Sequence, residues 1–163
     1  MFQLSPAGID FVKTELNRYE TKRSAILPCL YKVQEENGGW VSPEAVNHLA
    51  DVMDIPAAHI NEVLYFYTMY NKKPVGRLHV QVCATISCAM NGARELAKHI
   101  CDKYQVKEGE ISDDGMVTVT KVECLGSCGT APMMQIGNAY YENLTKESAI
   151  EVIEDLKKKS TNQ

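Results

Sequence analysis

The spacing of apolar positions changes character near residue 77. Before that point apolar residues recur at three- and four-residue intervals, the period of an amphipathic helix. Ser5-Pro6 is a cap followed by a first-position proline, and Ile9, Val12, Leu16 and Tyr19 continue the stripe. A second stripe runs through Ile26, Cys29, Leu30 and Val33, with a bend expected at Pro28 and a stop at Gly38-Gly39. Ser42-Pro43 repeats the cap signature ahead of Val46, Leu49, Ala50 and Met53, and a fourth helix is expected from Pro56 through Ile60, Val63, Leu64 and Tyr67. Residues 71–76, "NKKPVG", form a connector. From Arg77 the period shortens: Leu78, Val80 and Val82 alternate as in a half-buried strand over 77–83. A helix over about 91–104 follows, with Leu96, Ala97, Ile100 and Tyr104 inward. "SDDG" is a turn, "MVTVTKVE" is rich in β-formers, and "MMQI" and "AYY" flank the hairpin dipeptide Gly137-Asn138. A last helix after Thr145 carries Ile150, Ile153 and Leu156. The order written from these signals is β-α-β-β-α, an α/β unit over 75–159 preceded by a helical bundle over 1–74 and followed by a tail of 160–163.

Candidate chemistry lies where strands run out. Cys83 ends the first strand and Cys88 follows on the next loop; Cys124 and Cys128 sit in "VECLGSCGTAP", on the loop leaving another strand. Written out, the thiols are C-x4-C, a gap of 35 residues, then C-x3-C. Two pairs on two strand-end loops can converge at one edge of a sheet, each pair holding one metal ion. Four thiolates suit zinc or an iron–sulfur cluster. The pairs are wider than zinc knuckles favour, no three-cysteine run for a [4Fe–4S] site exists, and the plant-type pattern would need Asn91 to be cysteine. Neither pair carries the histidine of a Rieske site, and the C-x-x-C of a thioredoxin dithiol is missing. Spacing thus favours a [2Fe–2S] rhomb held by two thiols per iron, with a zinc staple still open. Gly126 and Gly129 are expected to let the backbone wrap a cluster closely and offer amides to its sulfurs.

The stretches "VCATISCAMNGA" and "VECLGSCGTAPMMQIG" with the long gap between them resemble the thioredoxin-like [2Fe–2S] ferredoxin family. The resemblance is strongest to the small iron–sulfur subunits of the NADH dehydrogenase module of respiratory complex I. It reaches into the helical half through "RSAILPCLYKVQEENGGWVSPEAVNHLADVMDIPAAHINEVLYFYTMY", and related subunits serve NAD-linked hydrogenases and formate dehydrogenases. It implies a thioredoxin-like [2Fe–2S] domain and a cluster ligated by Cys83, Cys88, Cys124 and Cys128. It also implies one-electron exchange with the FMN of a partner flavoprotein subunit that binds NADH, inside an NADH:quinone oxidoreductase. The implied location is cytoplasmic and peripheral to the inner membrane, among other subunits of the complex.

Composition narrows the rest. The chain has 163 residues, 45% hydrophobic and 23% charged, with a net charge of −4, which speaks against nucleic acid or an anionic membrane as main partner. A DNA-reading helix is a poor fit to "PAAHINEVLYFYTMY", which lacks any lysine or arginine. The first twenty residues lack the pattern of a secretory signal, and no apolar run approaches the roughly 20 residues of a spanning helix. Six cysteines without an export signal fit a reducing compartment. Cys29 and Cys101 are expected to be buried packing thiols, and His48, His59, His79 and His99 form no ligand pair. Neither G-x-G-x-x-G nor a P-loop occurs, so no nucleotide site or catalytic centre is expected in this chain alone. The run Tyr65-Phe66-Tyr67 with Tyr70 is expected to be part core and part partner surface.

Overall fold

The structure is a computed structural model and describes residues 2–161. It divides into two compact units that meet in sequence at Pro74 and Val75. The first holds α1 (Pro6–Arg18), a 3-10 turn (Lys22–Ala25), α2 (Ile26–Glu36), α3 (Pro43–Met53) and α4 (Ala57–Phe66). Both Ser-Pro starts form as their chemistry requires: Ser5 Oγ accepts from the Gly8 amide at 3.0 Å and Ser42 Oγ from the Ala45 amide at 3.1 Å. No bend arises at Pro28, because it falls in the first turn of α2, where its missing N–H has no helical acceptor. Val12, Ile26, Cys29, Leu30, Val33, Leu49, Met53, Ile60 and Leu64 close the core. Tyr70 is buried with them, and its hydroxyl donates to the Leu27 carbonyl at 2.8 Å. The aromatic run is split: Tyr70, beyond the end of α4, is buried, whereas Tyr65 and Phe66 on its last turn are 70% and 77% exposed.

The second unit contains β1 (Leu78–Cys83), α5 (Ile86–Met90), α6 (Ala93–Tyr104), β2 (Val117–Val122), a 3-10 turn (Cys128–Thr130), β3 (Met134–Ile136), β4 (Ala139–Tyr141) and α7 (Lys146–Thr161). This is the expected α/β unit with one short helix and one strand more than the β-α-β-β-α order. The last helix reaches Thr161, so residues 160 and 161 are helical rather than tail, while 162–163 lie outside the described residues. The sheet order is β2-β1-β3-β4. β1 pairs in parallel with β2, from Leu78 opposite Val117 to Cys83 opposite Val122, and antiparallel with β3. A parallel neighbour needs a long crossover, which α5 and α6 supply. Gly76 lets the chain enter β1 against the β2 backbone, since a Cβ there would stand 2.7 Å from the Val117 carbonyl carbon. α6 and α7 pack on β1 and on each other, burying Leu96, Ile100, Ala149 and Ile153 over Val80, Val82 and Val119. Tyr104 Oη donates to Glu154 at 2.8 Å, linking the two helices.

The outer edge of β2 is covered by residues 108–112. The Gly109 amide donates to the Val119 carbonyl at 2.9 Å, the Ser112 amide to the Val117 carbonyl at 2.8 Å, and Glu108 accepts from the Lys121 amide at 3.2 Å. On β1, His79 Nε2 lies 2.8 Å from Thr120 Oγ1, and burial pulls its pKa down to about 4. An unfolded histidine titrates near 6.5, so this group favours the fold fully above about pH 6.5. That contribution is lost progressively as pH falls toward 4, by at most about 3 kcal/mol. His79→Gln removes the titration, so its chemical-denaturation midpoint should fall less than that of the wild type between about pH 7 and about pH 4.5.

Candidate metal centre

Parallel pairing in register brings the ends of β1 and β2 to one edge of the sheet, so the segments leaving both strands face each other. Cys83 is the last residue of β1 and 2% exposed. The chain then turns at Thr85 into α5 rather than remaining a loop, which places Cys88 inward at 1% exposure and leaves Ile86 and Met90 outward at 79% and 82%. After β2, Cys124 is followed by Gly126 at φ +84°, a left-handed conformation that favours glycine. The Gly126 amide donates to Cys124 Sγ at 3.4 Å. No such demand exists at Gly129, where an added Cβ would meet no protein atom within 4 Å. The 3-10 turn begins at Cys128, and the chain returns through a cis Ala131–Pro132 bond to β3.

All four expected thiols come together. Cys124 Sγ and Cys128 Sγ are 3.6 Å apart, and the Cys83 and Cys88 thiols are near enough to shift one another's ionisation. Crossing contacts join the two segments: the Cys83 amide donates to the Met133 carbonyl at 3.3 Å, and Ser87 Oγ donates to the Cys128 carbonyl at 2.8 Å. Burial pushes the Cys83 thiol up, but the hydroxyl and amide of Thr85, the Leu125 amide and the Cys88 thiol outweigh it and leave Cys83 below its ordinary value. Burial, then the hydrogen bond and charge of Cys83, drive Cys88 up to about 11 against the Met133 amide. Cys128 is raised by its hydrogen bond to Cys124 and by that neighbour's charge. An ionised neighbour therefore opposes ionisation at Cys88 and Cys128, an opposition that bound metal cations would relieve.

The Cys124–Cys128 separation fits two sulfurs bound to one metal. Two sulfurs at about 2.3 Å from a tetrahedral ion stand about 3.8 Å apart, close to the Cys124–Cys128 separation. Among the described residues no three His, Cys, Asp or Glu side chains are grouped as ligands of one ion. An all-sulfur donor set approached by backbone amides matches the chemistry of a [2Fe–2S] cluster. The other two cysteines lie apart. Cys29 is fully buried in the helical core, and Cys101, expected to be buried, is only partly so on α6. The hydroxyls of Thr85, Ser87, Ser127 and Thr130 also belong to the site. Their only sequence signal is that small hydroxyl residues flank the cysteines.

A family model described as thioredoxin-like [2Fe–2S] ferredoxin matches residues 12–157. The chain is 37% identical over 158 residues to an NADH-quinone oxidoreductase subunit of Rickettsia bellii (strain RML369-C), covering 96% of this chain and 95% of that protein. It is 43% identical over 136 residues to the protein of the same name in Rickettsia conorii (strain ATCC VR-613 / Malish 7), covering 83% and 81%. Among solved structures, a chain of an NAD+-reducing [NiFe]-hydrogenase in the air-oxidized state has a TM-score of 0.67 at 19% identity, a likeness of fold. That match spans 80% of this chain but 23% of the hydrogenase chain.

Burial orders thiol reactivity in the metal-free protein. Iodoacetamide at about pH 8 should modify exposed Cys124 and Cys128 first and Cys29 last, because burial, with the charge of Glu15 adding to it, pushes the Cys29 thiol up to about 12. Timed alkylation with peptide mapping reads this order, and Cys29 labelling as fast as Cys124 would contradict it.

Proposed function

The chain belongs to the thioredoxin-like [2Fe–2S] ferredoxin family, and we propose that it is the electron-transfer subunit of an NADH:quinone oxidoreductase. In that role Cys83 and Cys88 hold one iron and Cys124 and Cys128 the other. The observation that carries the ligand assignment is the meeting of the four thiols in two pairs at one sheet edge, where Cys83 and Ser87 of the first segment bond to the Met133 and Cys128 carbonyls of the second. The oxidoreductase assignment is supported by similarity along nearly the full length of proteins named as subunits of NADH-quinone oxidoreductase. The bound cluster supplies single-electron exchange with the FMN of a partner flavoprotein subunit. NADH donates a hydride, so a flavin in a partner suits a chain that carries no nucleotide motif of its own.

The protein's own groups set the conditions for that exchange. The Thr85, Leu125, Gly126 and Met133 amides direct positive dipoles at the cysteine sulfurs and stabilise negative charge there. Burial of Cys83 and Cys88 keeps water from one side, while Cys124 and Cys128 lie open toward a partner. Ile86 and Met90 beside Cys88, with Tyr65 and Phe66 in the helical unit, are large apolar side chains suited to a subunit contact. Among the described residues no helix is long and apolar enough to cross a membrane, which is compatible with a peripheral position beside other subunits at the cytoplasmic face.

Two experiments test this reading. Cys83→Ser, Cys88→Ser, Cys124→Ser and Cys128→Ser should each lose or shift the visible iron spectrum. Cys29→Ala and Cys101→Ala should retain it and lose only modest packing energy. An unchanged spectrum in Cys124→Ser, or iron lost from a folded Cys29→Ala, contradicts the ligand set. Separately, NADH should leave the purified chain oxidised by EPR and reduce it when the flavoprotein is co-expressed. Rapid reduction by NADH alone defeats the partner assignment.

A further inference from the structure

The segment carrying Cys124 and Cys128 is held from outside by a carboxylate fifteen residues beyond Ser127. Glu142 follows β4 and precedes Asn143, whose φ is +50°. Its Oε1 accepts from Thr130 Oγ1 at 2.7 Å and, in a short contact, from the Ser127 hydroxyl. Those two hydroxyls are themselves 2.6 Å apart. Ser127 immediately precedes Cys128 and Thr130 closes its 3-10 turn, so a single oxygen gathers the donors on both sides of that cysteine. Backbone bonds fasten the same junction: the Asn143 amide donates to the Thr130 carbonyl at 2.8 Å and the Leu144 amide to the Pro132 carbonyl at 3.0 Å.

We propose that Glu142 is a positioning residue for the redox centre: it clamps the Cys124–Cys128 segment through Ser127 and Thr130 and brings an exposed carboxylate to the Ser127 hydroxyl, one residue before the Cys128 ligand. The proposal rests on the reading that Cys124 and Cys128 ligate the cluster. The clamp acts on the exposed pair, where burial does not hold the thiols in place. The two hydrogen bonds end on a charged acceptor and are therefore stronger than bonds between neutral groups. The charge acts on the electron itself. Reduction adds negative charge to the centre, and a nearby carboxylate opposes that addition, so Glu142 lowers the reduction potential.

The test uses the full chain purified with its cluster. Glu142→Gln keeps an oxygen that can accept a hydrogen bond but removes the charge. Its midpoint potential should rise, while iron release to a chelator stays within about twofold of wild type. Glu142→Ala removes both, so the potential should rise and iron should be released severalfold faster. Ser127→Ala keeps the charge and loosens the clamp, and release should quicken with little movement of the potential. Glu151→Gln, which removes an exposed charge on α7 outside this hydrogen-bonded cluster, should leave both readings unchanged. A folded, iron-bearing Glu142→Gln with unchanged potential overturns the electrostatic role. Unchanged release from Glu142→Ala and Ser127→Ala overturns the clamp. If Glu142→Gln does not fold, the release rate of Ser127→Ala decides for or against the clamp. Absence of iron from the wild-type chain defeats the cluster reading itself, a different outcome from any of these.

Discussion

Everything at the metal centre depends on the parallel register of β1 with β2. Cys83 stands opposite Val122, so the first cysteine pair begins where the second strand ends, despite the 35 residues between Cys88 and Cys124. A shift by one residue would turn Val80 and Val82 away from α6 and α7, which makes the register costly to change. The hydrophobic core, which includes Cys83 and Cys88, thereby fixes where the exposed Cys124 and Cys128 meet them. Gly76 at the entry to β1 and the cover over β2 protect the same pairing, one by admitting close backbone approach and the other by satisfying the open edge.

Once the thiols meet, electrostatics opposes what topology has arranged. Cys88 resists ionisation chiefly because it is buried and then because Cys83 neighbours it, and Cys128 because Cys124 neighbours it. The Met133 amide partly offsets this at Cys88, and at Cys83 the Thr85 amide of its own segment acts together with the Leu125 amide of the other. The cross-bonding has a structural consequence. Neither segment completes the donor set alone, so metal binding and the docking of the two segments reinforce one another.

Local chemistry is readable in the sequence where it acts over a few residues. The Ser5-Pro6 and Ser42-Pro43 starts, the Gly137-Asn138 hairpin and the alternation in β1 all form, because caps, turns and side-chain period are decided nearby. Pro28 misleads because its effect depends on where the helix begins, and a 3-10 turn moves that start to Ile26. Helix α5 is hidden by inverted patterning: Ile86 and Met90 point outward and Cys88 inward, so no apolar stripe marks it. The central place of β1 is not legible, since pairing with β3 joins residues more than fifty apart. At the site, the convergence of four thiols is readable from their spacing, whereas the contact of Glu142 with Ser127 is not, because nothing local to either residue names the other.

Each unit encloses its own apolar core, one around Leu30, Leu49 and Ile60 and one around Val80, Val82 and Ile153. The groups that donate to the cysteine sulfurs, and the hydroxyls and carboxylate that brace their segments, all lie between Thr85 and Glu142. The helical unit buries Tyr70 yet leaves Tyr65 and Phe66 largely exposed, with Lys72 over the Tyr65 ring and an edge-on contact of Phe66 with Tyr67. Apolar exposure of this kind is retained when another surface covers it. A chain that only carried electrons by diffusion would need the second unit alone, and the helical unit with its exposed rings fits a protein whose working state is assembled.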